Sequence, residues 1–157
     1  MSEHSPIATL ITLADKEAEQ LAQHLGIALK AHQEQEQKHA LLLQYRDDYA
    51  KRYQQNMVNG LGIACHQNFR DFLNRLDEAI AGQQGLVEHA LHSVNCERNA
   101  WQIAEKKRLS FNTLAQRAQH QLQQQTLRSE QKSTDEYATR MAQHRALRAQ
   151  APIDPDS

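Results

Sequence analysis

Proline is almost absent from this 157-residue sequence, and its three occurrences, Pro6, Pro152 and Pro155, lie near the ends. Because proline removes a backbone donor and clashes with the preceding turn, its absence elsewhere leaves the interior free to be helical. Aromatic residues make up only 5% of the chain, while glutamine, alanine, leucine, arginine and glutamate dominate. These are good helix formers, and the dispersed apolar residues favour a narrow hydrophobic seam over a thick core.

Strong net charge, long apolar runs and paired cysteines are also lacking. The formal net charge is −1, which gives no general reason to expect binding to nucleic acid or to an acidic membrane surface. No run of about 18 apolar residues predicts a membrane span, and the segment from Met1 to Pro6 does not read as a signal peptide. Cys65 and Cys96 form no CxxC motif, and free thiols indicate a reducing cytoplasm.

A heptad pattern of apolar residues runs through most of the chain. Stepping alternately by four and three residues meets mainly apolar side chains, with polar exceptions clustered at His32, Gln35 and His39. A sustained period of 3.5 residues is typical of a coiled coil, since a straight amphipathic helix drifts away from it. The positions in the first half are Ile7, Ile11, Ala14, Ala18, Leu21, Leu25, Ala28, His32, Gln35, His39, Leu42, Arg46, Tyr49, Tyr53 and Asn56. Those in the second half are Phe69, Leu73, Leu76, Ile80, Gln83, Val87, Ala90, Val94, Glu97, Trp101, Ala104, Arg108, Phe111, Ala115, Ala118 and Leu122.

The segment Asn59-Gly60-Leu61-Gly62 interrupts the two halves. Each glycine costs about 1 kcal/mol inside a helix, so two within three residues predict a break. Folding the chain there predicts an αα-hairpin. Residues whose numbers sum to about 122 then face each other, which places Tyr53 opposite Phe69 and keeps both seams aligned as far as Ile7.

The sequence therefore predicts an all-α fold: a long antiparallel two-helix coiled-coil hairpin whose second helix is longer. We expect one coiled-coil domain over residues 1–157, with helix 1 over about 7–57, a turn over about 58–63, helix 2 over about 64–147 and a flexible C-terminal tail over about 148–157. In this register the second helix has no partner in the first beyond about Leu122. That stretch either frays or is held by another molecule.

Catalytic and metal-binding patterns are weak. Glu36 and His39 form one Glu-x-x-His motif, whereas di-iron bundles need two such motifs and two further glutamates. Cys65 and His66 are adjacent, but adjacency alone does not make a nucleophile. We therefore expect no metal, no cofactor and no enzymatic activity, and a helical metalloenzyme is only a third interpretation.

The basic residues between Arg98 and Arg117 allow two interpretations. One is a contact for an acidic partner. The other, which we favour, is a set of flanking ion pairs, because the hairpin register sets Asp15, Glu17 and Glu19 opposite this stretch. Such pairs contribute little energy each.

Near the turn, the apolar face is wider than a two-stranded seam requires. In the hairpin register Tyr49 lies near Phe72, and the flanking residues continue the same side of the coil. An exposed apolar stripe with aromatics is a docking candidate. The alternative is broader packing within the coil or self-association into a four-helix bundle. The stripe consists of Leu42, Tyr45, Tyr49, Phe72, Leu76 and Ala79.

Several segments resemble the FliJ family, the small soluble component of the bacterial flagellar type III export apparatus. The resemblance covers nearly the whole chain, with a similar length and turn position, and its turn and tail segments are more specific than its heptads. The segments are Asn59-Gly60, the run Asn68-Phe69-Arg70-Asp71-Phe72-Leu73 through Leu76, Ala79 and Ile80, Lys106-Lys107-Arg108-Leu109, and Asp135-Glu136-Tyr137-Ala138 followed by Arg140.

The resemblance implies a cytoplasmic coiled coil similar to the central stalk of rotary ATPases, peripheral at the cytoplasmic face of the inner membrane. It implies insertion into the ring of the export ATPase FliI, promotion of its hexamer, contact with the export gate protein FlhA and binding of empty export chaperones. Lys38 and Gln83, at the edge of the stripe, depart from the family's residues. The family's gate-binding surface carries over to Leu42, Tyr45, Tyr49, Phe72, Leu76 and Ala79. The alternative function is a self-associating structural scaffold, an obligate homodimer with the stripe buried between hairpins.

Overall fold

A computed structural model of the chain describes residues 5–60 and 62–151, which form two α-helices. Helix α1 spans Pro6–Val58 and contains 53 residues, and helix α2 spans Ile63–Ala149 and contains 87. No strand occurs within the described ranges. The predicted all-α fold with a longer second helix is confirmed. Neither helix, as far as it is described, is long and apolar enough to cross a membrane.

Backbone conformation explains where α1 begins and ends. Pro6 occupies the start of the helix, where its fixed φ fits and no intrahelical donor is lost. At the other end the Asn59 N–H donates to the Gln55 carbonyl at 3.3 Å. Gly60 follows with φ +82°, a left-handed conformation that strains L side chains and ends helices. Leu61 lies outside the described residues, so the predicted turn over 58–63 is described only in part.

Two compact units divide the chain, one ending at Leu109 and the other beginning at Ser110. In the first unit the helices pack antiparallel. The numbers of contacting residues add to 118 for Gln35 with Gln83 and to 124 for Glu17 with Lys107, close to the predicted 122. The expectation of one domain over 1–157 stays a prediction, and its tail over 148–157 lies outside the described residues from 152 onward.

Heptad positions supply the core of the first unit. Ala14, Ala18, Val94 and Ala104 are buried, with Val94 only 1% exposed. The other predicted seam residues from Ile11 to Arg108 are half-buried, whereas Ile7 is exposed. Three of these four residues are alanines, whose small side chains suit the close packing of two helices along a narrow seam.

In the second unit, burial ends early. Phe111, Asn112 and Ala115 are half-buried, and every described residue from 116 to 151 is exposed. Ala118 and Leu122, which the heptad pattern assigned to the seam, are therefore on the surface. The spacing of apolar residues continues there, but spacing alone does not bury a side chain.

Candidate partner-binding surface

Aromatic side chains from both helices form one cluster beside the turn. The Tyr49 ring lies between two rings of α2, with centroids 5.1 Å from Phe69 and 4.3 Å from Phe72. The Tyr53 ring also contacts Phe69, at 5.4 Å. The tilted geometry of these pairs is one that aromatic rings favour. The cluster confirms the predicted pairing of Tyr53 with Phe69 and the proximity of Tyr49 to Phe72.

A groove of about 340 Å³ opens along one side of this cluster. Tyr49 and Leu76 are half-buried, whereas Tyr45 and Phe72 are 56% and 45% exposed. The groove therefore presents aromatic surface to solvent above an apolar base. We call it the aromatic groove, and the residues that line it are Tyr45, Asp48, Tyr49, Arg52, Phe72 and Leu76.

The groove brings together four of the six residues that the sequence assigned to the stripe. Leu42 is half-buried and Ala79 is exposed, and neither is part of the groove lining. The assignment of all six to gate binding stays a prediction. Sequence reasoning missed Asp48 and Arg52 because it searched for apolar residues. Their positions three residues after Tyr45 and Tyr49 place them on the same helix face and were the available signal.

Polar cross-links hold the two helices together at the turn side of the groove and at its far end. Toward the turn, the Tyr53 hydroxyl is hydrogen-bonded to the imidazole of His66. Away from the turn, the Arg46 guanidinium donates to the Asp77 carboxylate. This hydrogen bond and the charge of Asp77 raise the pKa of Arg46 above its ordinary value. The aromatic groove thus lies on a stretch where both helices are fixed by side-chain contacts as well as by the seam.

Ion pairs connect the helices farther from the turn. Lys107 Nζ lies 3.5 Å from a Glu17 carboxylate oxygen, and an Arg108 nitrogen lies 3.9 Å from an Asp15 oxygen. Arg108 also donates to Glu105, which lowers the pKa of the Glu105 carboxyl. The flanking ion pairs predicted for this basic stretch are confirmed at these positions. Because all the pairs are partly exposed, each contributes little to stability.

Reactive side chains are scattered in the part of the chain that the structure describes. No group of three or more His, Cys, Asp or Glu side chains that could hold a metal occurs among those residues. Cys65 and Cys96 are free and exposed. The largest concentration of exposed aromatic surface in the first unit is the groove, whose chemistry suits binding of a protein side chain.

Comparison with known proteins gives consistent matches over most of the chain. The family model described as "Flagellar FliJ protein" matches residues 3–147. The Flagellar FliJ protein of Escherichia coli (strain K12) is 28% identical over 142 residues, which cover 90% of this chain and 97% of the relative. The Flagellar FliJ protein of Salmonella typhi is 26% identical over 142 residues, which again cover 90% of this chain and 97% of the relative. No solved structure matches this chain. With a family model matching nearly its full length, the chain belongs to the FliJ family of components related to flagellar protein export.

Proposed function

We propose that this protein is a stalk of the flagellar type III export apparatus that couples the export ATPase FliI to the export gate protein FlhA. The aromatic groove carries this proposal, because it offers a docking surface that the hairpin itself does not fill. Membership of the FliJ family supports the choice of partners. ATP chemistry belongs to FliI in this proposal, and no catalytic role is assigned to this chain.

The gate contact is assigned to the aromatic groove and its neighbours Leu42 and Ala79. Exposed Tyr and Phe side chains beside an apolar base are the residue types that dominate binding energy at protein interfaces. Asp48 and Arg52 at the groove add one charge of each sign, which selects the orientation of a partner more than it strengthens binding. Through this contact the protein lies at the cytoplasmic face of the inner membrane.

The ring contact is assigned to the part of α2 beyond Leu122. Leu122, Leu127 and Tyr137 are each about two-thirds exposed, and large apolar side chains on an exposed helix suit insertion into a ring of subunits. A helix that contacts several FliI subunits at once favours the hexamer over free subunits by mass action. Binding of empty export chaperones is a further part of this proposal.

The gate contact is tested by replacing one residue of the aromatic groove. We expect Phe72→Ala to weaken binding to the soluble domain of FlhA by about 10-fold or more, since an aromatic hot spot contributes about 2 kcal/mol or more. Leu43→Ala is the matched control, because Leu43 is exposed to a similar degree and does not line the groove. Binding is measured by calorimetry, with circular dichroism to verify helicity. Equal affinity of Phe72→Ala and the parent would refute the gate assignment.

The ring contact is tested with FliI alone. The parent protein is expected to raise both ATPase activity and the hexamer fraction of FliI, whereas a Tyr137→Ala, Met141→Ala double variant is expected to lose most of this effect. Phe72→Ala should stimulate like the parent, because the groove lies in the other unit. No stimulation by the parent would contradict the ring assignment.

Sedimentation equilibrium separates the stalk from the structural homodimer. A monomer keeps the aromatic groove available for the gate. A concentration-independent dimer that Phe72→Ala dissociates would mean that a second copy occupies the groove, and the stalk proposal would then be wrong.

A further inference from the structure

A pair of glutamines from opposite helices interrupts the apolar seam of the first unit. Gln35 on α1 and Gln83 on α2 occupy heptad positions, and both are half-buried. The Gln83 side-chain amide donates to the side-chain oxygen of Gln35 at 2.7 Å and to the Gln35 main-chain carbonyl at 3.0 Å. The amide nitrogen of Gln83 thus finds two acceptors on the facing helix, within the seam.

The glutamine pair lies far from the turn. Gln35 comes 23 residues before the end of α1 at Val58, and Gln83 comes 20 residues after the start of α2 at Ile63. Coiled coils absorb offsets of a few residues by local changes in winding, so a turn alone does not fix the alignment of the helices at this distance. The ion pairs farther along the coil are partly exposed and hold the alignment only weakly.

Sliding one helix by one heptad would keep apolar residues opposite each other but would separate the two glutamines. The numbers of facing residues would then add to 125 or to 111, in place of 118. In these two slipped registers every residue facing a glutamine is apolar: Leu42 or Ala28 for Gln83, and Ala90 or Leu76 for Gln35. Neither amide would have a hydrogen-bonding side chain opposite it, and a half-buried amide without a partner is unfavourable.

We propose that Gln35 and Gln83 form a register lock, a polar layer that allows only one alignment of α1 against α2. A single polar residue pair in an apolar coiled-coil seam is known to specify register in this way. The lock matters for binding because the walls of the aromatic groove come from both helices, so their alignment determines the shape of the groove. This role does not depend on which partner occupies the groove.

The alignment is measured on the full chain by pulsed electron paramagnetic resonance between two spin labels. One label is attached to the native Cys96 and the other to Lys16→Cys, with Cys65→Ser removing the second thiol. All three residues are exposed. Both labelled sites lie beyond the glutamine pair as seen from the turn. Their numbers add to 112, so they are offset along the coil and a slip changes their separation directly.

The protein with both glutamines is expected to give one distance between the labels. The double variant Gln35→Leu, Gln83→Leu is expected to give a second distance as well, because leucine packs against the apolar residues of a slipped register. A slip of one heptad moves one helix by about 10 Å along the other. The matched control is the double variant Gln37→Leu, Gln84→Leu, which replaces exposed glutamines of the same two helices outside the seam and should keep the single distance.

Distances between two chains are removed by diluting the labelled protein with unlabelled protein, and circular dichroism verifies that each variant stays helical. A second distance within the chain in Gln35→Leu, Gln83→Leu, together with one distance in the control, supports the register lock. A single unchanged distance in Gln35→Leu, Gln83→Leu would overturn it. A second distance in the control would also overturn it, because added leucine and not loss of the glutamine pair would then cause the slip.

Discussion

Single residues on and beside the seam make polar contacts whose stability depends on pH. For Glu105, which lies next to the seam residue Ala104, the direction of the pKa change is known. Its carboxyl accepts a hydrogen bond from Arg108, which lowers its pKa in the folded chain. When folding lowers the pKa of a carboxyl group, its ionised form stabilises the fold at pH values above the pKa of that group in the unfolded chain. That contribution is lost as pH falls through the folded value. Acidification should therefore remove this contact at a lower pH than the one at which an unpaired glutamate is protonated.

We expect Arg108→Gln to return the Glu105 pKa toward its ordinary value, because the substitution removes both the donor and the positive charge. An NMR titration of the Glu105 carboxyl measures the change. Arg98→Gln serves as the control, since Glu105 is not hydrogen-bonded to Arg98 in the structure. An unchanged Glu105 titration in Arg108→Gln would show that another group holds the carboxylate.

Periodicity predicted which residues face the seam, but it did not predict what polar seam residues contact. Gln83 was assigned to the seam and is half-buried there. Its side-chain amide donates to the Gln35 main-chain carbonyl at 3.0 Å and to the Gln35 side chain at 2.7 Å. Such partners depend on rotamers and on the exact register, which hydrophobic spacing does not specify. The same reason explains why the hydrogen bond between Tyr53 and His66 was not predicted.

At the scale of the helices, glycines have opposite effects according to backbone conformation. Gly85 lies in the interior of α2, and a Cβ built there meets no atom within 4 Å. Gly60 has φ +82°, although a Cβ there also meets open space. Glycine is needed at the turn and only lowers helix stability at position 85.

We therefore expect Gly85→Ala to raise the free energy of unfolding by about 1 kcal/mol, and Gly60→Ala to lower it by about 1 kcal/mol or more. Urea denaturation followed by circular dichroism measures both. Each variant is the other's control, because both add one methyl group without a steric clash. Destabilisation by Gly85→Ala would indicate that α2 departs from regular helix near that residue.

The two helices could be predicted from the sequence because the residues that end or cap a helix act on their immediate neighbours. The lack of interior proline, the Asn59-Gly60 pair and the heptads were enough to predict two antiparallel helices. The point along α2 at which packing against α1 ends could not be predicted from neighbouring residues. Ala118 and Leu122 keep the heptad spacing and are exposed, since burial depends on a facing helix and not on periodicity.

At the scale of the whole molecule, the chain combines a packed hairpin with a helical segment that is exposed throughout. In the first unit the seam and cross-links stabilise both helices, whereas the described residues from 116 to 151 bury no side chain. A helix without packing depends on its own backbone bonds and residue propensities, so it opens more readily than a packed one. The proposed stalk thus has one stable surface for the gate and one segment whose stability depends on its partner.

Hydrogen exchange followed by mass spectrometry distinguishes these two parts. In the free protein we expect amides in 116–149 to exchange at least 10-fold faster than those near Ala14, Val94 and Ala104, because burial protects the latter. Adding FliI is expected to slow exchange in 116–149, and adding the soluble domain of FlhA is expected to slow exchange around Tyr45 and Phe72. Slow exchange in 116–149 without any partner would contradict the partner-dependent segment. If FliI instead protected only the groove, the ring and gate assignments would have to be exchanged, because each assignment predicts protection in a different part of the sequence.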